Sequence, residues 1–429
     1  MAEYRFIDRV AEVEELAAKL ALEKVIAVDT EADSFFHYFD KLCLVQVAAS
    51  CGTFLIDPLS MPPRGLAPLA PVMANPSIRK IFHAAEYDLF VLHRHCGITV
   101  RGLFDTMISA QMLGYPAVGL GALVERHFDI KLSKDQQRTD WSRRPLRDAQ
   151  LNYAASDVIY LIELSQLLEN ELAQKKRLAW GKAEFSALEQ RIWPEREFDE
   201  QGYLRIKGAR KLTPRGLAVL RELFLWRDKR ARDGDRPPFK VMGNGTLLDL
   251  AQSPPMSRRA LGTRRGITDL VLRRFGQELL DAIVRGAEGA EHPPLERKQP
   301  TGNGRRRLDR RGETQLEELK VWRATRAREL GLDPGVFCPN ASLEEIAALM
   351  PRTIDELVGL SALKPWWAEH FGPEVVAVLN AADTTATEEP AKSEASPESG
   401  NGAAADPEQT RRKRSRRGRR GSRGGRRRS

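Results

Sequence analysis

The sequence predicts an α/β domain followed by two small all-α modules and a disordered C-terminal tail. Three observations carry this prediction. Short runs rich in β-branched residues stand close together in the first part of the chain, interleaved with helical patterns. Strand signals disappear from about Gly208 onward. After Asn380 the composition changes to Ala, Glu, Ser, Pro and Gly, then to Arg, Gly and Ser, and neither part can bury a core. The 429 residues suit two to four domains at roughly 100–200 residues each.

VIAVDTE (25–31), KLCLVQVAA (41–49) and TFLIDP (53–58) read as adjacent strands of one sheet, and RKIFHA (79–84) as a fourth. GLAPLAPVMA, EYDLFVLHRH, DTMISAQMLGY and GLGALVERHF read as helices. Apolar residues at helical spacing from Leu146 to about Gln174 predict one long helix with Pro145 at its start. Further on, TPRGLAVLRELFLWRDKRARDGDRPP predicts a helix ending in a Gly/Pro loop. Shorter helices follow around 245–252, 257–261, 266–273 and 275–286. A polar hinge then leads to a second helical stretch with the same order of events: KVWRATRAREL, a Pro-containing turn, SLEEIAALM, TIDELVGL and EVVAVLNA. WRDKRARDGDRPP and WRATRARELGLDP are similar enough to predict a duplicated module. The expected boundaries are 1–190 for the α/β domain, 208–290 and 313–380 for the modules, 291–312 for a linker and 381–429 for the tail.

The formal net charge is +9, but it is unevenly spread. Residues 1–190 carry −4, 191–380 carry +7, 381–410 carry −6 and 411–429 carry +12. A basic total is therefore a weak pointer to nucleic acid. No run approaches the ~18 apolar residues of a membrane span. The stretch MAEYRFIDRVAEVEE lacks the apolar core of a signal peptide. Four cysteines in a chain this long do not make a disulfide framework. The expectation is a cytoplasmic protein without membrane association or a disulfide-linked partner.

Four acids stand out by placement. Asp29 and Glu31 close the first strand two residues apart, so both leave the same face of the sheet. Asp88 lies at the start of the helix after the fourth strand, in HAAEYDLFVL. Asp157 follows Tyr153 by four residues, so acid and phenol share a helix face. Clustered carboxylates raise each other's pKa unless cations neutralise them. Hard divalent ions, Mg²⁺ or Mn²⁺, suit all-oxygen ligands. Two such ions about 3.5–4 Å apart can bind the attacking and leaving oxygens of a phosphoryl displacement.

In this order and on these elements, the residues resemble ribonuclease D, a family of the DEDD superfamily of 3′→5′ exonucleases on the ribonuclease H-like fold. Asp29-Thr30-Glu31 matches the D-x-E motif and Asp88 the second motif. The third motif carries a Tyr four residues before its Asp, or a His five before. Tyr153 and Asn152 occupy those positions here, which indicates the tyrosine branch. The flanks LSKDQQRTDWSRRPL and QLNYAASDVIYL are similar to the family as well. The resemblance implies that Asp29, Glu31, Asp88 and Asp157 hold two metal ions and that Tyr153 orients the attacking water. It also implies stepwise release of nucleoside 5′-monophosphates from structured RNA precursors, transfer RNA included. A DNA exonuclease of the same fold stays open, because these acids act on phosphate rather than sugar. A non-catalytic RNA-binding protein is the third reading, against which the intact acid set argues.

Residues 213–287 resemble an HRDC domain, and 313–380 a second, divergent copy. Trp226, Arg227, Lys229, Arg230 and Arg232, with Arg264, Arg265, Arg273 and Arg274, are the expected nucleic-acid surface. The tail RRKRSRRGRRGSRGGRRRS is expected to add RNA affinity through charge and guanidinium stacking. Gly243-Asn244-Gly245 lacks the Lys of a P-loop and reads as a turn. His93, His95 and Cys96 lack a fourth zinc ligand and read as a helix end. His83 reads as structural or near the site, and Trp366-Trp367 as core or a contact patch.

Overall fold

The chain is described by a computed structural model over residues 3–194, 198–293 and 308–387. The expected tail beyond 387, and most of the expected linker, lie outside the described residues. The first domain runs β1 (Arg5–Ile7), α1 (Val10–Leu20), β2 (Val25–Ala32), β3 (Leu42–Ala49), β4 (Gly52–Ile56), α2 (Ala70–Ala74), β5 (Arg79–Phe82) and α3 (Glu86–Cys96). It continues through β6 (Leu103–Asp105), α4 (Thr106–Leu113), α5 (Leu120–Phe128), α6 (Asp148–Ile159), α7 (Leu161–Gln174) and α8 (Leu178–Glu189). The sheet order is β1-β4-β3-β2-β5-β6. β2, β3 and β4 form an antiparallel meander, while β5 and β6 add parallel to β2 and β1 adds parallel to β4. The two three-residue edge strands, β1 and β6, gave no signal in the sequence because they are too short to show a period.

The long helix expected from Leu146 to Gln174 is two helices that meet at Tyr160. α6 covers β2, β3 and β4, whereas α7 packs on α4 and on β5. One straight rod of that length would run about 40 Å and could not follow both surfaces. The helix also starts at Asp148 rather than at Pro145. α8, absent from the sequence reading, buries Trp180 and Phe185.

The first helical module comprises α9 (Pro214–Asp233), α10 (Pro238–Val241), α11 (Asn244–Gln252), α12 (Arg258–Gly262) and α13 (Asp269–Glu288). The helices expected at 266–273 and 275–286 are one continuous α13, in which Gly276 is buried against Arg258 and Leu272. Gly243-Asn244-Gly245 is not a turn: Gly243 caps α11 and the next two residues are its first turn. The second module comprises α14 (Arg310–Leu330), α15 (Pro334–Phe337), α16 (Asn340–Leu349), α17 (Ile354–Val358) and α18 (Pro365–Thr387).

The duplication is visible atom by atom. Trp226 Nε1 donates to Glu278 Oε2 at 2.9 Å, and Trp322 Nε1 donates to Glu374 Oε2 at 3.1 Å. Arg227 donates to the Met242 carbonyl and to Asn244 Oδ1, and Arg323 donates to the Cys338 carbonyl and to Asn340 Oδ1. Arg230 pairs with Glu278 as Arg326 pairs with Glu374. Every member of one set is offset from its counterpart by the same interval as Trp226 from Trp322.

The two modules meet the first domain differently. The first has its own apolar core and touches the loop after β2 through polar groups. Asp235 accepts from the Tyr38 and Phe39 amides at 3.0 and 3.1 Å, its other oxygen lies 2.7 Å from His37 Nδ1, and the Tyr38 hydroxyl donates to Asp228. The second shares a continuous apolar cluster with the α/β domain. There Trp366 stacks on Trp180 at 5.6 Å and donates to Glu184, which also pairs with Lys364.

Candidate active site

The site forms at the C-terminal end of β2, where three chain segments converge. Alternation along β2 sends Asp29 and Glu31 to the face covered by α6. The i, i+4 spacing on α6 turns Tyr153 and Asp157 down toward the same place. One carboxylate oxygen from each of Asp29, Glu31 and Asp157 lies within 4.8 Å of the others. Such a set of hard oxygen donors fits a divalent cation such as Mg²⁺ or Mn²⁺.

Asp88, expected as the fourth member, is outside that triad. It sits in the first turn of α3, buried, and accepts a 2.5 Å hydrogen bond from Thr30 Oγ1. Thr30 points to the face of β2 opposite Asp29 and Glu31. Asp88 is thus tied to β2 through Thr30, and its charge interacts with those of Asp29 and Glu31. Burial raises Asp88 well above the usual carboxylate range, with a further push from Asp29. Burial likewise raises Glu31, aided by Asp29, Asp157 and Asp88. Asp29 is pushed up to about 7 by burial. Asp157 is pushed up to about 8 by burial and by Asp29, against a hydrogen bond from Tyr153 that lowers it. Burial and the facing carboxylates, Asp157 first, raise Tyr153, so it keeps its proton at neutral pH.

Several supporting residues escaped the sequence reading. Asp105 caps α4 and accepts backbone N–H bonds from Ala84 and Ala85, fixing the turn that delivers α3 and hence Asp88. Ala84 has φ +61° there, a conformation an alanine rarely adopts and that these bonds hold in place. His83, which the sequence reads as structural or near the site, lies 2.9 Å from Thr106 Oγ1, and burial lowers it to about 4, so it stays neutral. Gln46, opposite Asp29 in the β2–β3 register, is fully buried. Its signal was present in the sequence as the one polar residue inside LCLVQVAA. Beside α3, a groove of about 870 Å³ is lined by Tyr87, Phe90, Trp193, Arg191 and Lys364, among others.

The expected nucleic-acid residues divide. Trp226 and Arg227 are buried, at 7% and 6% exposure, in the contacts that build the module, so neither presents a phosphate-binding surface. Arg230 is held by Glu278 and Arg232 by Asp228. Arg264 donates to the Ser253 carbonyl. Lys229, Arg265, Arg273 and Arg274 are exposed. His93, His95 and Cys96 form the last turn of α3 before the left-handed Gly97.

Comparison with known proteins agrees with this geometry. A family model described as a 3′-5′ exonuclease matches residues 4–173, and one described as an HRDC domain matches 216–283 and 313–379. Ribonuclease D of Nitrobacter hamburgensis is 30% identical over 381 residues, covering 87% of this chain and 94% of that protein. Ribonuclease D of Zymomonas mobilis is 32% identical over 369 residues, covering 85% and 91%. The crystal structure of the catalytic core of RRP6 from Trypanosoma brucei aligns at a TM-score of 0.61 with 30% identity, over 68% of this chain and 81% of that one. Escherichia coli RNase D shares the fold at a TM-score of 0.65 and 24% identity, over 88% and 99%. With the carboxylates at the strand end and both helical modules accounted for, the chain belongs to the ribonuclease D family of 3′→5′ exonucleases.

Proposed function

We propose that Asp29, Glu31, Asp88 and Asp157 hold two divalent cations, Mg²⁺ or Mn²⁺, and that the chain trims the 3′ ends of structured RNA precursors, transfer RNA included. Membership of ribonuclease D makes it an exoribonuclease, in a superfamily that generally uses divalent metals. One observation carries the assignment of the site: three half-buried carboxylates converge within 4.8 Å with their pKa values raised. Such a cluster is poorly stabilised as bare anions and well suited to cations. Bound cations would neutralise the phosphate and lower the pKa of the attacking water. The chain's own groups do the rest. Tyr153, kept protonated, can donate a hydrogen bond and orient the water. The groove beside α3 offers the aromatic faces of Tyr87, Phe90 and Trp193, which suit the stacked bases of a single-stranded 3′ end.

The test is Asp157→Asn, with matched 5′-labelled RNA and DNA, in Mg²⁺, Mn²⁺ or EDTA. The wild-type chain should shorten RNA stepwise, dependent on metal and blocked by a 3′-phosphate. The variant should fold and lose at least about 10³-fold in rate, as expected when a charged group acting on the transition state is removed. Near-wild-type turnover by folded Asp157→Asn would overturn the assignment, and shortening of DNA alone would favour the DNA reading.

A further inference from the structure

Strand β3 is apolar and buried along its length except at Gln46. That side chain is 0% exposed, and neither its Oε1 nor its Nε2 has a hydrogen-bond partner among the described residues. A primary amide brings up to four hydrogen-bonding positions. Burying one wholly unsatisfied is costly, and native interiors do so rarely. Its position is specific. In the antiparallel register Gln46 lies directly opposite Asp29 on β2 and opposite Leu55 on β4. Directly paired residues share a face of the sheet, with Cβ atoms about 4.5–5.5 Å apart. Leu44, Leu55, Ala154 and Ala155 pack together on that face beneath α6. α6 is also the helix that brings Asp157 and Tyr153 to Asp29 and Glu31. The unsatisfied amide therefore lies in the layer that carries the carboxylates.

We infer that Gln46 is a positioning residue for the carboxylate site, whose amide takes its partners only when the site carries hydrated divalent cation. Resting on the metal reading above, this role follows from donor and acceptor chemistry. The amide N–H groups can donate to Asp29, which stands opposite Gln46 in the register. The carbonyl can accept from water in the cation's hydration shell. An apolar residue of the same size would pack equally well in the metal-free fold but could do neither. The same amide that burdens the empty layer thus biases it toward the loaded state. Groups that orient metal ligands in this way typically govern affinity by 10–100-fold when removed.

The experiment measures Mn²⁺ affinity by calorimetry and by the electron-spin resonance of free Mn²⁺, on the EDTA-stripped full chain, for wild type, Gln46→Met and Asp157→Asn. Gln46→Met should weaken Mn²⁺ binding by at least about tenfold, while its metal-free thermal midpoint stays level or rises. Unchanged Mn²⁺ affinity in Gln46→Met would overturn the inference and leave the metal reading intact, as would a lowered metal-free midpoint with unchanged affinity. A wild-type chain that binds no Mn²⁺ would overturn both. Should Gln46→Met fail to fold, ¹⁵N-glutamine-labelled wild type decides the matter. The Gln46 side-chain N–H₂ signals should move and gain protection from exchange on adding Mg²⁺, and signals indifferent to Mg²⁺ would overturn the proposal.

Discussion

The carboxylates at the end of β2 are held in a protonation state their neighbours dictate, and this has a thermodynamic consequence. Burial lifts Asp29 to about 7 and Asp157 to about 8, above their values in the unfolded chain. The folded state then binds protons that the unfolded state has released. Stability contributed in this way is full below the unfolded pKa near 4 and is lost as pH rises through the folded values. In EDTA the thermal midpoint should therefore fall between about pH 5 and 8. On the metal reading proposed above, added Mg²⁺ should restore it most at the upper end, where the cluster is deprotonated. A scanning-calorimetry series showing a midpoint that climbs with pH in EDTA would count against the cluster as described. These acids were readable in the sequence because each pair obeys a local period: two residues along β2, four along α6. Asp105, Thr30 and Gln46 were not readable, because what they do depends on residues far away in sequence.

At the level of elements, the Trp-Arg signature of the modules is the instructive case. In sequence it resembles an aromatic-basic patch for nucleic acid. In the fold it is the brace of the helical unit, repeated in α9 and α14 with the same partners. Arg227→Ala should accordingly destabilise the chain by about 1–3 kcal/mol by leaving the Met242 carbonyl and Asn244 without their donor. A phosphate contact would instead leave the melting midpoint unchanged and weaken RNA binding, so melting and binding measured together decide between the two. The caps of α4 and α14 make a second element-scale test. Gly114 and Gly331 are both left-handed, and a methyl group at 114 would stand 1.8 Å from the Gly331 carbonyl oxygen. Gly114→Ala should loosen the second module from the α/β domain, seen as faster proteolysis around residues 308–330 than in wild type. Unaltered proteolysis would show that the caps do not need this contact.

Over the whole molecule, the carboxylate cluster belongs to the first domain, and the exposed cations of the first module lie apart from it in sequence. Lys229, Arg265, Arg273 and Arg274 remain as candidates for holding RNA once the buried and paired arginines are set aside. Replacing Arg265, Arg273 and Arg274 with Ala should lower the slope of log affinity against log salt by about 2, at roughly 0.7 per single-strand phosphate contact. The rate on short, saturating substrate should hold. An unchanged slope would exclude these residues from the interface. The loop after β2 also joins the first module to the α/β domain. Asp235 of the first module caps the Tyr38 and Phe39 amides only a few residues from Glu31.

The sequence by itself determined the α/β order, the duplicated helical module and the identity of the acids, because strands, helices and motif spacings are short-range patterns. The tertiary structure decided which acids converge, bringing Asp29, Glu31 and Asp157 within 4.8 Å of one another and tying Asp88 to β2 through Thr30. It broke the helix at Tyr160 so that its halves could follow two surfaces, and it turned Trp226 and Arg227 from an expected RNA surface into a brace. Each of these depends on contacts between residues tens to hundreds of positions apart, where burial and pairing are set by neighbours that no local period contains.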